Sequence, residues 1–204
     1  MADLRISDLT AATNVADTDL IVISQDDGDG TFTSKKIQAQ NFDLVKGIRY
    51  YGALDADPVT LTPQDGDEYY NTVLDKKMFY DGGRTKWLSI ETLSIFFGRS
   101  GITNAATYYR TVDGLAYSTT NGVYLPWNAT IVGVGYTRDD TDAATFEVTA
   151  DGVSAATLAS TAIEGATTTL NDNVASGAVI GVRNQAGGNA TSNVNGWIFL
   201  RWRA

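Results

Sequence analysis

From Asn121 to Arg203 the chain alternates apolar and polar residues in short bursts, each closed by Gly, Asn or Asp. The bursts are Ile131–Tyr136, Phe146–Ala150, Val179–Arg183 and Trp197–Trp202. A period of two sends successive side chains to opposite faces of a pleated strand, so each burst predicts a strand. Strands at regular spacing with turn signals between them predict a sandwich or barrel. In the last burst, Trp197, Phe199 and Arg201 face one way and Ile198, Leu200 and Trp202 the other. Two apolar faces predict a strand covered on both sides, by a second sheet and by another subunit. Gly133, Gly135 and Gly181 lie inside strands, where glycine signals a bulge or a close approach of something to the backbone.

Earlier in the chain the pattern is more broken. Asp19–Ser24 predicts a strand, Asp26–Gly30 a hairpin tip and Thr31–Lys35 the returning strand. Ile6–Ala12 reads as a turn or a helix start capped by Ser7 or Asp8, and Lys36–Phe42 as a short helix. Asp67–Thr72, Lys77–Tyr80 and Lys86–Ile90 predict a three-stranded meander. Its aromatic residues, Tyr69 or Tyr70, Phe79 or Tyr80, and Trp87, would stack across strands. Pro58 and Pro63 mark a loop before it. Ile95-Phe96-Phe97 precedes Gly98 and predicts a buried strand or packing along a symmetry axis, with a hinge over Gly98–Ala106. Tyr108–Val112, Leu115–Ser118 and Gly122–Trp127 read as further strands, and Ala155–Thr169 as two short strands or a loop. About eight strands fit by Trp202, the number expected of a jelly roll.

Composition narrows the chemistry. The 204 residues include 43% hydrophobic and only 19% charged residues, with 20 Gly and 10 Tyr. A packed core rich in β-structure follows. There is no Cys and no His, which removes thiol nucleophiles, disulfides, imidazole or thiolate zinc sites and His-based triads. The net charge of −9 opposes nucleic-acid and anionic-membrane partners. No apolar run is long enough to span a bilayer, and Met1–Asp8 has no basic-then-apolar pattern, so neither membrane insertion nor an export signal is expected.

Asp139, Asp140 and Asp142 with Glu147, and separately Asp26, Asp27 and Asp29, are the carboxylate groups nearest to a calcium loop. Their spacing lacks the distal Glu and regular alternation of one, and each reads as a hairpin tip. Glu147, Asp151 and Glu164 are the available carboxylates for glycoside hydrolysis, but no pair is singled out. No catalytic residue, metal ligand or cofactor is assigned, and an enzyme is not expected. Tyr124, Trp127 and Tyr136, with Asn121 and Asn128, have the chemistry of a glycan-binding face, because rings stack on sugar faces while amides meet hydroxyls. The same rings would equally fill a core or a subunit interface.

Three stretches resemble known proteins. Ile6–Thr13, Ala16–Ile23, Thr33–Ile37 and Asn41-Phe42 together resemble the N-terminal segment of bacteriophage tail fibres, spikes and head fibres. The resemblance implies virion attachment through Ile6, Leu9, Leu20, Val22, Ile37 and Phe42. Gly66–Thr72, with Lys76–Gly82 and Trp87, resembles a connector module of phage fibres and bacterial surface proteins. From Gly98 on, the pattern resembles the compact β-sandwich heads that end many trimeric fibres. The implied fold is mainly β: an N-terminal attachment segment (1–45), a short β-meander connector (46–97) and a C-terminal jelly-roll-like β-sandwich head (98–204). The implied protein is a bacteriophage virion structural protein, a homotrimeric fibre or decoration subunit carried on capsid or tail proteins. Its alternative is a receptor-binding tail protein whose head recognises a host-surface glycan. A small cysteine-free β-unit gains core by closing around a symmetry axis, which agrees with a trimer.

Overall fold

The computed structural model describes residues 20–26, 32–38, 49–59 and 62–204. The described residues are all-β, and none of them forms a helix long and apolar enough to cross a membrane. The chain divides into two compact units, Met1–Gly47 and Ile48–Ala204.

In the first unit, β1 (Leu20–Asp26) pairs antiparallel with β2 (Phe32–Gln38), in register from Leu20 opposite Gln38 to Asp26 opposite Phe32. The short helix expected from Lys36 does not begin there. Lys36, Ile37 and Gln38 complete β2 opposite Val22, Ile21 and Leu20, because pairing with an apolar partner strand outweighs weak local helix propensity.

The second unit opens with a sheet of β3 (Tyr50–Leu54), β4 (Glu68–Asn71), β5 (Lys76–Asp81) and β6 (Lys86–Ser89), in that order. β4, β5 and β6 are the expected meander, while β3 adds a parallel strand beside β4. Asp67, almost wholly buried, ties the start of β3 to β4. It accepts hydrogen bonds from the Arg49 backbone (3.1 Å), from Arg49 Nε (3.0 Å) and from Gln64 N (2.8 Å). Trp87 is the hub of this sheet. Tyr51, Tyr69 and Tyr80 meet its ring edge-on, with centroids 5.7, 5.1 and 5.3 Å away. Edge contacts of this kind suit the ring quadrupoles and explain an aromatic core this small.

The remaining strands are β7 (Thr92–Thr103), β8 (Val123–Tyr124), β9 (Ala129–Thr137), β10 (Ala144–Ala150), β11 (Val153–Ser160), β12 (Glu164–Thr167), β13 (Asp172–Val174), β14 (Val179–Asn184) and β15 (Thr191–Trp202). They form two sheets, β11-β10-β14-β8 and β12-β9-β15-β7, with β13 also on β9. The pairing is nested: β7 with β15, β8 with β14, β9 with β12 and β13, and β10 with β11. Inward residues of both sheets make one core, including Ile131, Val134, Phe146, Val148, Ile180, Ile198 and Leu200. Each such side chain, fully buried, contributes about 1.5–3 kcal/mol. Tyr136 and Phe146 stack across the core at 4.1 Å between centroids.

Two local expectations change. The hinge expected over Gly98–Ala106 is largely strand, because β7 runs through to Thr103 and pairs with β15 on both sides of an irregularity between Ser192 and Val194. Residues 107–118 form only isolated bridges, Gly98 with Arg110, Tyr108 with Arg183 and Arg110 with Ala116. Tyr109 and Tyr117 instead insert their rings into the core. Alternation in this stretch therefore reports side chains dropping into a core from a loop.

Candidate functional site

The outer face of the β12-β9-β15-β7 sheet is built around Trp197 and Phe199. Both point away from the core, and their rings stack at 4.1 Å with 22° between planes. Opposite them on β9 stand Gly135 and Gly133. A Cβ on Gly135 would lie 2.4 Å from the Trp197 ring, and one on Gly133 would lie 3.3 Å from it. The indole can lie down on β9 only because those two positions carry no side chain. A bulge between Phe199 and Leu200 sets Gly133 opposite Phe199 and Ile131 opposite Leu200, so the inner and outer faces both stay in phase.

One half of this face is covered by the chain's own meander. The Arg201 guanidinium lies 4.7 Å from the centre of the Phe79 ring and donates to Ser89 O at 3.2 Å, while Ser89 Oγ accepts from Trp202 N at 2.9 Å. Burial against the meander pulls the Arg201 pKa down. Arg84, from the β5–β6 turn, donates to Leu170 O at 2.6 Å, to Val132 O at 3.2 Å and to Thr168 O, and pairs with Asp81 at 2.6 Å. The two-sided cover expected for β15 is thus intramolecular on this half.

Among the described residues, nothing covers the other half. Phe96, opposite Trp197 on β7, is 55% exposed. Between Phe96 and Trp197 runs a groove of about 660 Å³, floored by Gly196 and rimmed by Thr137, Glu164 and Asn195. The absence of a side chain at Gly196 serves the core beneath the groove, where Phe97 is buried. A Cβ there would meet the Phe97 ring at 2.2 Å. On the far side of Phe96 is a second hollow of about 490 Å³, lined by Arg99, Arg110 and Val112 among others. Aromatic walls with a polar rim suit burying an apolar side chain or a sugar face.

Of the residues expected to bind glycan, Trp127 and Asn128 share one pocket, while Tyr136 lies in the core. Tyr136 is 3% exposed and stacked on Phe146, so its ring belongs to the core and cannot meet a sugar; burial pushes its phenol pKa up. Tyr124 is exposed on β8. Trp127 is partly exposed, edge-on to Trp202 at 5.4 Å, with Lys76 Nζ 5.7 Å from its centre. Beside it is a pocket of about 220 Å³ with Asp55, Asn128 and Arg203 in its walls. Asn128 Oδ1 accepts from Ser176 N at 3.0 Å, and Asn121 Nδ2 donates to Ala116 O at 2.7 Å.

Asp139, Asp140, Glu147 and Asp151 are engaged in structure. Asp140 pairs with Arg138 at 3.0 Å and accepts from Ser192 N; Asp139 accepts from Asn193 Nδ2 at 2.6 Å. Glu147 on β10 is ion-paired with Arg183, whose guanidinium holds the carboxyl below its ordinary range. Asp151 accepts from Val179 N at 2.9 Å in the β10–β11 turn, and Glu164 stands on the other sheet. Glu147 and Glu164 therefore do not face across one cleft. Asp26 ends β1, and Asp27 and Asp29 lie outside the described residues.

Of the attachment residues, Leu20 and Val22 lie on β1 and Ile37 on β2, where Ile37 is in register with Ile21 rather than with Leu20 or Val22. Ile6, Leu9 and Phe42 lie outside the described residues. The groove residues that sequence reasoning did not single out are Phe96 as an exposed wall, and Gly196 and Asn195 beneath and beside it. The signal available for them was Gly196 immediately before Trp197, a small residue beside a large one in a strand. Against family models, curated proteins and solved structures, the chain matches none.

Proposed function

We propose that this chain is a bacteriophage virion structural protein, a homotrimeric fibre or decoration subunit attached to capsid or tail proteins by its N-terminal unit. The observation that carries the reading is the division of the chain at about Gly47. A small unit bearing the fibre-like segment precedes a larger β-unit with its own two-sheet core. The nested pairing of β7 with β15, β8 with β14, β9 with β12 and β10 with β11 supports a jelly-roll head in particular, since that fold is a long hairpin wound over itself. The open aromatic half-face on β15 supports association, since apolar wall residues on a monomer's surface mark a contact. Sedimentation of the full chain is expected to give a mass near three chains, and immunogold labelling to place it on the particle. A single-chain mass at micromolar concentration together with unlabelled particles would remove the reading.

A second reading has its own observation. The pocket beside Trp127 combines an exposed indole with Asp55, Asn128 and Arg203, the mixture that recognises a sugar ring. In that case the head is a receptor-binding module for a host-surface glycan. A glycan array probed with residues 48–204 tests it. That fragment keeps β7 whole and the Arg84 contacts intact, and silence on the array would discard the second reading alone.

A further inference from the structure

Two unsatisfied surfaces lie on opposite sides of Phe96, and they are complementary. One is the groove between Phe96 and Trp197, whose rim carries Glu164. The other is the loop Thr111–Leu115, which borders the hollow beyond Phe96. That loop is tied shut: Thr111 N donates to Leu115 O at 2.8 Å, Gly114 N donates to Thr111 O at 3.0 Å, and Arg110 Nη1 donates to Gly114 O at 3.0 Å. Gly114 takes φ +87, which allows the reversal. The closed loop holds two aliphatic side chains out in water, Val112 at 84% exposure and Leu115 at 58%. A closed loop that presents apolar side chains is a knob without a hole among the described residues, because the Phe96 ridge stands between it and the groove.

The charges fall the same way. Among the described residues, Glu164 on the groove side has no ion-pair partner, and neither have Arg99 and Arg110 on the knob side, where the one carboxylate, Asp113, is turned back onto Thr111 Oγ1 and Leu115 N within the loop. A chain of net charge −9 repels its own copies at long range. Copies can therefore associate only where local charge is matched and apolar surface is removed from water. A two-fold contact of the groove with itself would set Glu164 against Glu164. A contact between the two different surfaces sets Glu164 against arginine.

We infer that the Thr111–Leu115 loop of one copy seats in the Phe96–Trp197 groove of the next, with Val112 and Leu115 between the rings and Arg110 facing Glu164. Such a contact is heterologous, and it propagates from copy to copy until a ring closes. The inference rests on the homotrimeric reading above and names the surfaces that make that oligomer.

The test is the solution mass of the full chain and its variants at micromolar concentration. Wild type is expected at three chains. Val112→Asp, an exposed position whose change leaves the core untouched, is expected at one chain with an unaltered circular dichroism spectrum. Glu164→Arg is expected to weaken association at least tenfold. The chain has no cysteine, so a Val112→Cys, Thr137→Cys double variant reports directly: oxidation is expected to give covalent multi-chain species on a non-reducing gel. A three-chain mass retained by Val112→Asp, or an oxidised double variant that stays single-chain, overturns the seating while the trimer stands. A wild-type mass of one chain overturns the homotrimeric reading itself.

Discussion

Gly135 shows how a residue with no side chain specifies a surface. Its Cα faces the Trp197 indole so closely that an added methyl would sit 2.4 Å from the ring. Gly135→Ala is therefore expected to force Trp197 off β9 and cost about 1–3 kcal/mol. The checks are a lower midpoint in thermal denaturation and a changed near-ultraviolet circular dichroism signal. Glycine inside a strand announced a close approach in the sequence, but which ring approaches is a tertiary fact. The tyrosines of the core make a second prediction. Burial pushes the phenols of Tyr109 and Tyr117 up to about 12. An unfolded tyrosine ionises near pH 10, so the fold favours the protonated form. That contribution is complete below about pH 10 and is lost as pH rises from there towards 12. Alkaline titration is expected to show tyrosinate absorbance rising together with loss of structure in that window. Tyr109→Phe, which keeps the ring and removes the hydroxyl, is expected to shrink the late-titrating fraction.

At the scale of elements, the meander and the head are held together by arginine. Arg84 leaves the β5–β6 turn and spends its guanidinium on Leu170 O, Val132 O, Thr168 O and Asp81. Hydrogen bonds from a charged donor contribute about 1.5–3 kcal/mol each at most, and their sum is reduced by the cost of ordering the chain. Arg84→Ala is expected to destabilise residues 48–204 by about 2–3 kcal/mol. It is also expected to speed limited proteolysis between Ser89 and Thr92 relative to the unsubstituted chain. The three strands of the meander were legible because alternation and turn residues are local. β3 was not, since its partner β4 lies beyond a long proline-bearing loop and a parallel pair leaves no hairpin signal. The stretch 107–118 failed for the opposite reason. Its alternation is real, but Tyr109 and Tyr117 use it to enter the core rather than to extend a sheet.

For the whole molecule, residues 48–204 contain both the Trp87 cluster and the sandwich core, so that fragment is expected to unfold cooperatively with a midpoint within a few degrees of the full chain. A calorimetric scan of each checks it; a broad, non-cooperative transition in the fragment would count against one independent unit. The class of fold was determined by the sequence alone, because a period of two and the turn residues that interrupt it are properties of neighbouring positions. The exclusion of cysteine and histidine chemistry was likewise complete at that level. Long-range pairing decided the rest. The same alternation in β15 that predicted two apolar faces could not say that half of the outer one lies under the meander, which Arg201 meets at Phe79 and Ser89. Nor could it say that Tyr136 points inward while Phe96 points out, because facing is set by register, and register by partners as far off as Thr92 is from Arg201.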